Sequence, residues 1–317
     1  MGKKTKVYFA TDLHGSSKCF RKFVNAGTAY GVDVLVLGGD IAGKALQTIV
    51  RGSDGRYRCS FIGTTYDVEA GPELEGLEKL IADHGYYPYR AEAGELDARK
   101  ADGSLDALFV SLMHARLNDW LNLADERLRP TGKRLYFMLG NDDPAELRSL
   151  LDDAPWGVHD EGRVVMIDDD HEMISLGYSN ITPWHSHREM TEDGLAAAIG
   201  DMAARLQAPE RSIVNVHVPP FGSGLDEAPV LDANLTIQTS VGQVKFAPVG
   251  STAVRDALMT IQPLLGLHGH IHESGGIRRL GRTIAINPGS DYGTGVLNGA
   301  IMTLERDKVT AHQLVRG

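Results

Sequence analysis

Cysteine is scarce in this chain: among 317 residues only Cys19 and Cys59 carry a thiol, in no metal-binding or redox spacing. That excludes a disulfide framework and predicts two free thiols in a reducing cytoplasm. Long apolar runs are missing as well. No stretch is long enough to span a membrane, and the apolar segment after Met1-Gly2-Lys3-Lys4 stops at Asp12, too short for a signal-peptide core. Positive charge is not in excess either. A net charge of −10 argues against a general nucleic-acid-binding surface, while leaving room for a local basic groove. Repeats and low-complexity tracts are absent. What remains is an ordinary balance, 42% hydrophobic and 23% charged, enough for a sizeable core. The length suits about two domains, or one large α/β domain with an insertion.

The most informative stretch is Leu267-His268-Gly269-His270-Ile271-His272, at the end of an apolar run from Pro263. On a strand, His270 and His272 would share one face, and Gly269 would let the backbone bend toward whatever they hold. A neutral imidazole is the commonest protein metal ligand. A histidine-rich surface turn would read the same way. The rest of the chain bears on the choice. Residues 6–10 read as a buried strand running into Thr11-Asp12-Leu13-His14-Gly15, with Ser16 or Ser17 capping a helix to about residue 30. Residues 33–37 form a second apolar strand that stops at Gly38-Gly39-Asp40. A βαβ unit makes these strands parallel, so both deliver acidic residues to the edge where open sheets place their ligands. Residues 134–139 likewise end in Gly140-Asn141-Asp142-Asp143-Pro144, and residues 212–218 carry His217 before Pro219 and Pro220.

Asp12, His14, Asp40, Asn141, His217, His270 and His272 thus lie at or just past strand ends. Such a set suits a pair of divalent ions bridged by one carboxylate. Two ions about 3.5–4 Å apart can hold a bridging hydroxide and grip phosphoryl oxygens during in-line attack. Mixed Asp, Asn and His ligands favour Mn, Fe, Zn, Ni or Co over Ca or Mg, and Mn is the ion expected first.

Elsewhere the pattern predicts a hairpin over 48–50 and 56–62, and a helix over 72–84 closed by Gly85. Residues 92–102 read as exposed and irregular, and the longest helix as 105–128. A helix follows Pro144 to about 151. A hairpin spans 164–176 around Asp168-Asp169-Asp170, read as a solvated turn rather than a cation site. Then come a helix over 188–206, a loop over 221–249 lining a pocket rim, a helix over 251–261 capped by Ser251, a strand over 283–286, and an antiparallel pair over 300–314.

In order along the chain, Asp12-Leu13-His14, Gly39-Asp40, Gly140-Asn141-Asp142-Asp143, His217 and Gly269-His270-Ile271-His272 resemble the signature of the calcineurin-like metallophosphoesterases. The resemblance spans most of the chain. It implies a single α/β domain over 1–317, a four-layer αββα sandwich of two mixed sheets. Residues at about 44–103 lie outside the resemblance; their position right after Asp40 and their hairpin and helix signals predict an α+β insertion that acts as a cap, with a peripheral decoration or an oligomer contact as the alternative. The resemblance implies that Asp12, His14 and His272 hold a first metal, Asn141, His217 and His270 a second, with Asp40 bridging. It also implies a metal-dependent hydrolase whose catalytic group set is Asp142, Asn141 and His217. The chain departs from the pattern at Asp142, where many members carry a histidine that assists the leaving group. An ionised Asp142 would repel phosphate; it could serve as a general acid only if burial or neighbouring Asp143 raised its pKa. A phosphodiesterase preferring good leaving groups is therefore expected, with a nuclease, a phosphomonoesterase or a non-catalytic scaffold as alternatives. The expected partner is a small phosphoester, with nucleic acid a weaker candidate, no membrane, and a homo-oligomer left open. His185, in a loop with His187, and Arg56, on a basic hairpin edge with Arg51 and Arg58, are candidate substrate contacts; His268 reads as a packed neighbour of the ligands.

Overall fold

Thr5–Ala10 is, Lys6 apart, fully buried, and apolar on both faces from Val7 on, in the computed structural model, which describes residues 4–154, 156–232 and 234–317. A strand covered on both sides reads as a continuous hydrophobic run. Ser16 then caps helix Ser17–Ala29 by accepting the Cys19 amide, and Val34–Gly38 returns parallel to the first strand with Val7 opposite Val34. These elements sit in a six-stranded mixed sheet ordered Lys308–Arg316, Asn298–Glu305, Thr5–Ala10, Val34–Gly38, Arg134–Met138 and Val158–His159. A second mixed sheet is ordered Gly276–Leu280, Thr283–Asn287, Leu265–Leu267, Ile213–Val216, Glu172–Leu176 and Val164–Met166.

The period-two alternation of each strand sorts its side chains between two environments. Val7, Phe9, Val34 and Val36 of the first sheet share one buried cluster with Met173, Ile213, Leu265 and Ile286 of the second. Tyr8, Leu35 and Leu37 turn the other way, onto Phe20 and Phe23 and onto Leu117 and Leu121 of helix Leu105–Leu128. On the second sheet, Ile174, Val214 and Val216 pack on Leu195 and Ile199 of helix Glu192–Ala203 and on Val254 and Leu258 of helix Thr252–Ile261. Full burial of each such side chain stabilises the fold by about 1.5–3 kcal/mol.

Between Asp40 and the long helix lies a separate four-stranded sheet, ordered Thr64–Val68, Tyr57–Phe61, Leu46–Arg51 and Tyr87–Glu92. Helix Pro72–Asp83 covers it through Leu74, Leu77 and Ile81, which meet Ile49 and Phe61. The expected hairpin is present, with Val50 opposite Arg58.

Several expectations need correction. Residues 92–102 are not irregular: Tyr87–Glu92 is a strand and Glu95–Asp102 a helix. That helix buries no residue, so it carries no apolar stripe to announce itself, and an Arg99–Glu95 pair at 3.1 Å supports it instead. The helix expected from 188 starts at Glu192, because Thr191 caps it and Arg188 turns into the interior. After Pro144 a 3-10 turn, Ala145–Leu147, precedes the short helix Arg148–Asp152. The 221–249 segment contains paired strands, Glu227–Pro229 with Phe246–Pro248 and Thr239–Ser240 with Gln243–Val244. Asp168 accepts from the amides of Asp170 and His171 and from the His171 ring. Both cysteines are free and buried, and among the described residues no helix is long and apolar enough to cross a membrane.

Candidate metal centre

Past the strand ends the backbones keep pairing. The Asp12 amide donates to Gly39 O at 3.0 Å, His14 to Asp40 O at 3.0 Å and Gly15 to Ile41 O at 2.8 Å, so the first two loops run on together. From the second sheet, the Gly269 amide donates to His217 O at 2.8 Å and the His270 amide to Asp12 Oδ2 at 3.1 Å. Ser290 Oγ donates to Asp12 O at 2.7 Å, pinning the same loop from the far side. Asp12, His14, Asp40 and His270 all hold left-handed backbone, with φ of 55°, 40°, 49° and 66°. Each such conformation costs of order 1–3 kcal/mol in a non-glycine residue, and such strain clusters at functional sites. Four strained residues whose side chains converge on one point call for a functional explanation.

The side chains form two groups of candidate ligands that share no residue, Asp12 with His14 and His272, and Asp40 with His217 and His270, and a third, His14 with Asp40 and Asp142, that takes one residue from each. His14 Nε2 and His272 Nε2 face each other at 3.0 Å, and Asp12 Oδ1 lies 3.3 Å from His272 Nε2. Asp40 Oδ2 lies 3.5 Å from His14 Nε2 and 3.4 Å from His217 Nε2, midway between the groups. His270 and His272 therefore do not share a strand face. The strand ends at Leu267, and the left-handed turn at His270 sends the two imidazoles to different groups.

The donor set fits divalent ions. His217 Nδ1 is 2.8 Å from Gly38 O, which fixes the ring, while its buried Nε2 has no hydrogen-bond partner. Asn141 Nδ2 donates to Ser186 Oγ at 2.8 Å and to Asp142 Oδ1 at 3.0 Å, leaving its buried Oδ1 equally unpartnered. Asp12 and Asp40 are buried carboxylates, and such charges need a cation or strong hydrogen bonds close by. Burial pushes Asp40 upward, but the charges of His217, His14 and Lys44 hold it well below the usual carboxylate range. For His217 burial works downward, yet the charge of Asp40 carries it up to about 10. Burial brings His14 down to about 3 and His270 to about 4, leaving neutral imidazoles fit to ligate.

Behind Asn141 stands a buried charged support. Arg188 Nη1 donates to Gly140 O at 3.0 Å, its amide to Asn141 O at 3.0 Å, and its guanidinium pairs with Glu161. Glu161 lies 3.6 Å from His159, which reaches Asp152 at 2.9 Å.

The remaining candidates fall differently. Asp142 borders both groups, and it pairs with Lys44. Its pKa is raised by burial and then by Asp40; neighbouring Asp143 instead turns its carboxylate onto the amides of Gly140, Ile41 and Ala42. Arg56 is engaged by Asp67 at 2.5 Å and Glu69 at 2.8 Å, and Arg58 by Asp54 and Asp67, so these guanidinium groups belong to the small sheet's own ion pairs. His185 and His187 are exposed, and the residue between them, Ser186, is the one that touches Asn141. His268 is fully buried, with Nδ1 2.8 Å from Val216 O, and packs rather than joining either group. Sequence reasoning missed Lys44, Ser186 and the Arg188–Glu161 pair. Only Asp143, the second acid of an Asn-Asp-Asp run, carried a local signal.

No protein-family model matches the chain, and no curated protein matches it by sequence. Solved structures do match. The TT1561 protein of Thermus thermophilus superposes with a TM-score of 0.53 at 12% identity, over 99% of both chains. A dimetal phosphatase from Danio rerio superposes with a TM-score of 0.43 at 10% identity over 98% of both. An archaeal phosphodiesterase gives 0.36 at 11% identity over 99% of this chain and 100% of its own. The first likeness is one of fold alone, and the two looser ones add nothing to it. The chain shares the mixed α/β fold of the Thermus thermophilus protein.

Proposed function

We propose that the chain is a metal-dependent phosphoesterase of the calcineurin-like kind, acting on phosphodiesters. The observation that carries this reading is the position of Asp40 Oδ2, 3.5 Å from His14 Nε2 and 3.4 Å from His217 Nε2, between two groups of buried ligands. The apolar cluster shared by the two sheets, with helices packed on the other face of each, supports the four-layer sandwich expected of that class. In this reading Asp12, His14 and His272 hold one ion, Asn141, His217 and His270 the other, and Asp40 serves both. Two divalent ions, Mn foremost, would supply Lewis acidity toward a phosphoryl group and activate water for attack.

The chain's own residues do the rest. Ser186 and Asp142 engage the Asn141 amide nitrogen, which leaves its buried oxygen free to serve as the ligand atom. Gly38 O sets the His217 ring, and the Arg188–Glu161 pair braces the loop that carries Asn141. A phosphodiester fits better than a nucleic-acid polymer, because the hairpin arginines that would favour a polymer are already paired. The test is to strip the protein of metal, restore Mn, Fe, Zn, Ni or Co singly, and measure bound metal and hydrolysis of bis(aryl) and mono(aryl) phosphates. Two equivalents bound with faster diester hydrolysis is the expected result. Full metal occupancy without hydrolysis of either ester would overturn the reading.

A further inference from the structure

Lys44 stands where the chain leaves the site for the small sheet, and the three residues before it are pinned by their amides. Ile41 and Ala42 donate to the Asp143 carboxylate at 3.0 and 2.7 Å, and Gly43 to the Tyr87 hydroxyl at 3.0 Å. Asp143 also accepts the Gly140 amide at 2.7 Å, so the root of Lys44 is fixed relative to Asn141 and Asp142. At its tip, the ammonium pairs with Asp142. The dipeptide Asp142-Asp143 thereby holds both ends of one lysine.

The Lys44 side chain is half-exposed, while that of Asp142 is mostly buried, so the charge faces outward from a fixed anchor. An ammonium has three donors and Asp142 occupies one, leaving others for an anion. Such a cation is needed there. Asp40 and Asp142 share a group with His14, and Asp12 lies beside it. Asp12 and Asp40 would be neutralised by the ions they hold, but Asp142 is assigned to neither, and without a cation beside it its carboxylate would repel a phosphate that approaches from solvent. Asp142, which Lys44 pairs with, shares a group with His14 and Asp40, one residue from each of the two ligand groups, so the lysine is anchored beside both.

We propose that Lys44 binds the outward oxygen of the substrate's phosphoryl group, with Asp142 as the residue that positions it. This rests on the phosphoesterase reading above. Lys44 keeps one hydrogen bond to Asp142 and donates another to the phosphoryl oxygen, so the ionised Asp142 steadies a phosphate-binding cation instead of repelling phosphate.

The experiment is a calorimetric titration of the metal-loaded protein with inorganic phosphate, with bound metal measured in the same samples. Lys44→Gln should keep its metals and bind phosphate about ten- to a hundredfold more weakly, the usual worth of a charge-assisted hydrogen bond. Lys44→Arg should restore much of the affinity. Adding Asp142→Asn to Lys44→Gln should recover part of the loss, because the uncompensated carboxylate is then gone; a merely structural lysine would leave the double variant worse than either single one. Unchanged phosphate affinity in Lys44→Gln, where the parent protein binds phosphate, overturns the role of Lys44 and leaves the phosphoesterase reading standing. Loss of metal from Lys44→Gln also overturns it, by making Lys44 a support of the cluster. A parent protein that holds its metals and binds no phosphate overturns both.

Discussion

Gly140 sits where the loop carrying Asn141 passes closest to the carboxylate between the two ligand groups. A Cβ added there would lie 2.7 Å from Asp40 Cγ, and nearer still to Asp40 Oδ1 and its amide nitrogen. Carbon atoms at rest sit about 3.5–4.0 Å apart, so Gly140→Ala forces a shift of about 1 Å between the loops. The carboxylate cannot yield cheaply, since its Oδ1 accepts the Asp142 amide at 3.0 Å and its backbone oxygen accepts the His14 amide. Overpacking of this kind costs about 1–3 kcal/mol of stability. Metal–ligand distances tolerate only about 0.2 Å, so both ions should be lost together. Gly200→Ala is the internal control. Gly200 lies within helix Glu192–Ala203, its added Cβ meets nothing within 4 Å, and the change should stabilise by about 0.5–1 kcal/mol. Urea unfolding of both metal-free variants, with metal analysis after reloading, reads the two effects. Two metal equivalents at unaltered affinity in Gly140→Ala would refute the reasoning, because the clash would then have been absorbed without moving Asp40.

Two further outcomes follow from the same geometry. Asp40→Ala should weaken both metal sites and abolish hydrolysis while the fold survives, whereas His272→Ala should impair mainly the ion held with Asp12 and His14; full occupancy in Asp40→Ala would sink the bridging assignment. Asp160, fully buried with one oxygen unpartnered and the other bonded by Ser175, has its pKa raised by burial from 3.8 to about 6. The folded chain thus binds this proton more tightly than the unfolded one. The group contributes about 3 kcal/mol that is fully present below pH 3.8 and is lost as the pH rises through about 6. Asp160→Asn should flatten stability between pH 4 and 6 relative to the parent, and parallel curves would contradict the assignment.

The convergence of Asp12, His14, Asp40, His217, His270 and His272 was legible because each block sits where an apolar run stops. Val34–Gly38 can be read as a buried strand from composition alone, and its end then predicts where Asp40 lies. The parallel pairing of Thr5–Ala10 with Val34–Gly38 follows from the helix between them, so Asp12 and Asp40 could be placed at one edge without coordinates. What escaped was whatever depends on partners distant in sequence. Lys44 follows Asp40 by four residues and reads as an ordinary surface lysine until Asp142 and Asp143 are brought against its loop from about a hundred positions away. Arg188 looked like the start of a helix because nothing local shows that Glu161 waits for it inside. The split of His270 from His272 turned on one left-handed residue, which periodicity cannot show.

The small sheet over 46–92 is tied by several contacts to the loop that carries His14. A separable cap would leave metal binding intact when replaced by a Gly/Ser linker, and would alter only KM or selectivity. The contacts point elsewhere. Ser16 Oγ, two residues past His14, donates to Asp83 O at 2.7 Å, and Arg21 pairs with the Asp83 carboxylate at 2.6 Å. Arg116 of the long helix donates to Gly15 O at 2.8 Å while its guanidinium lies 4.1 Å over the Tyr87 ring. A Cβ on Gly15 would lie 2.8 Å from both Gly43 Cα and Gly85 O, so the His14 loop and both roots of the small sheet are stacked backbone on backbone. Replacing residues 46–92 removes the Ser16, Arg21 and Gly43 hydrogen bonds to Asp83 and Tyr87, at about 1 kcal/mol each for the neutral ones and more for the charged one. The loop that carries His14 would lose that support, and the ion shared by Asp12, His14 and His272 should weaken before the other does. Calorimetric titration of the linker variant with Mn, resolved into two sites, tests this. If both affinities survive and only the kinetics of diester hydrolysis change, the small sheet is a cap with no part in building the metal centre.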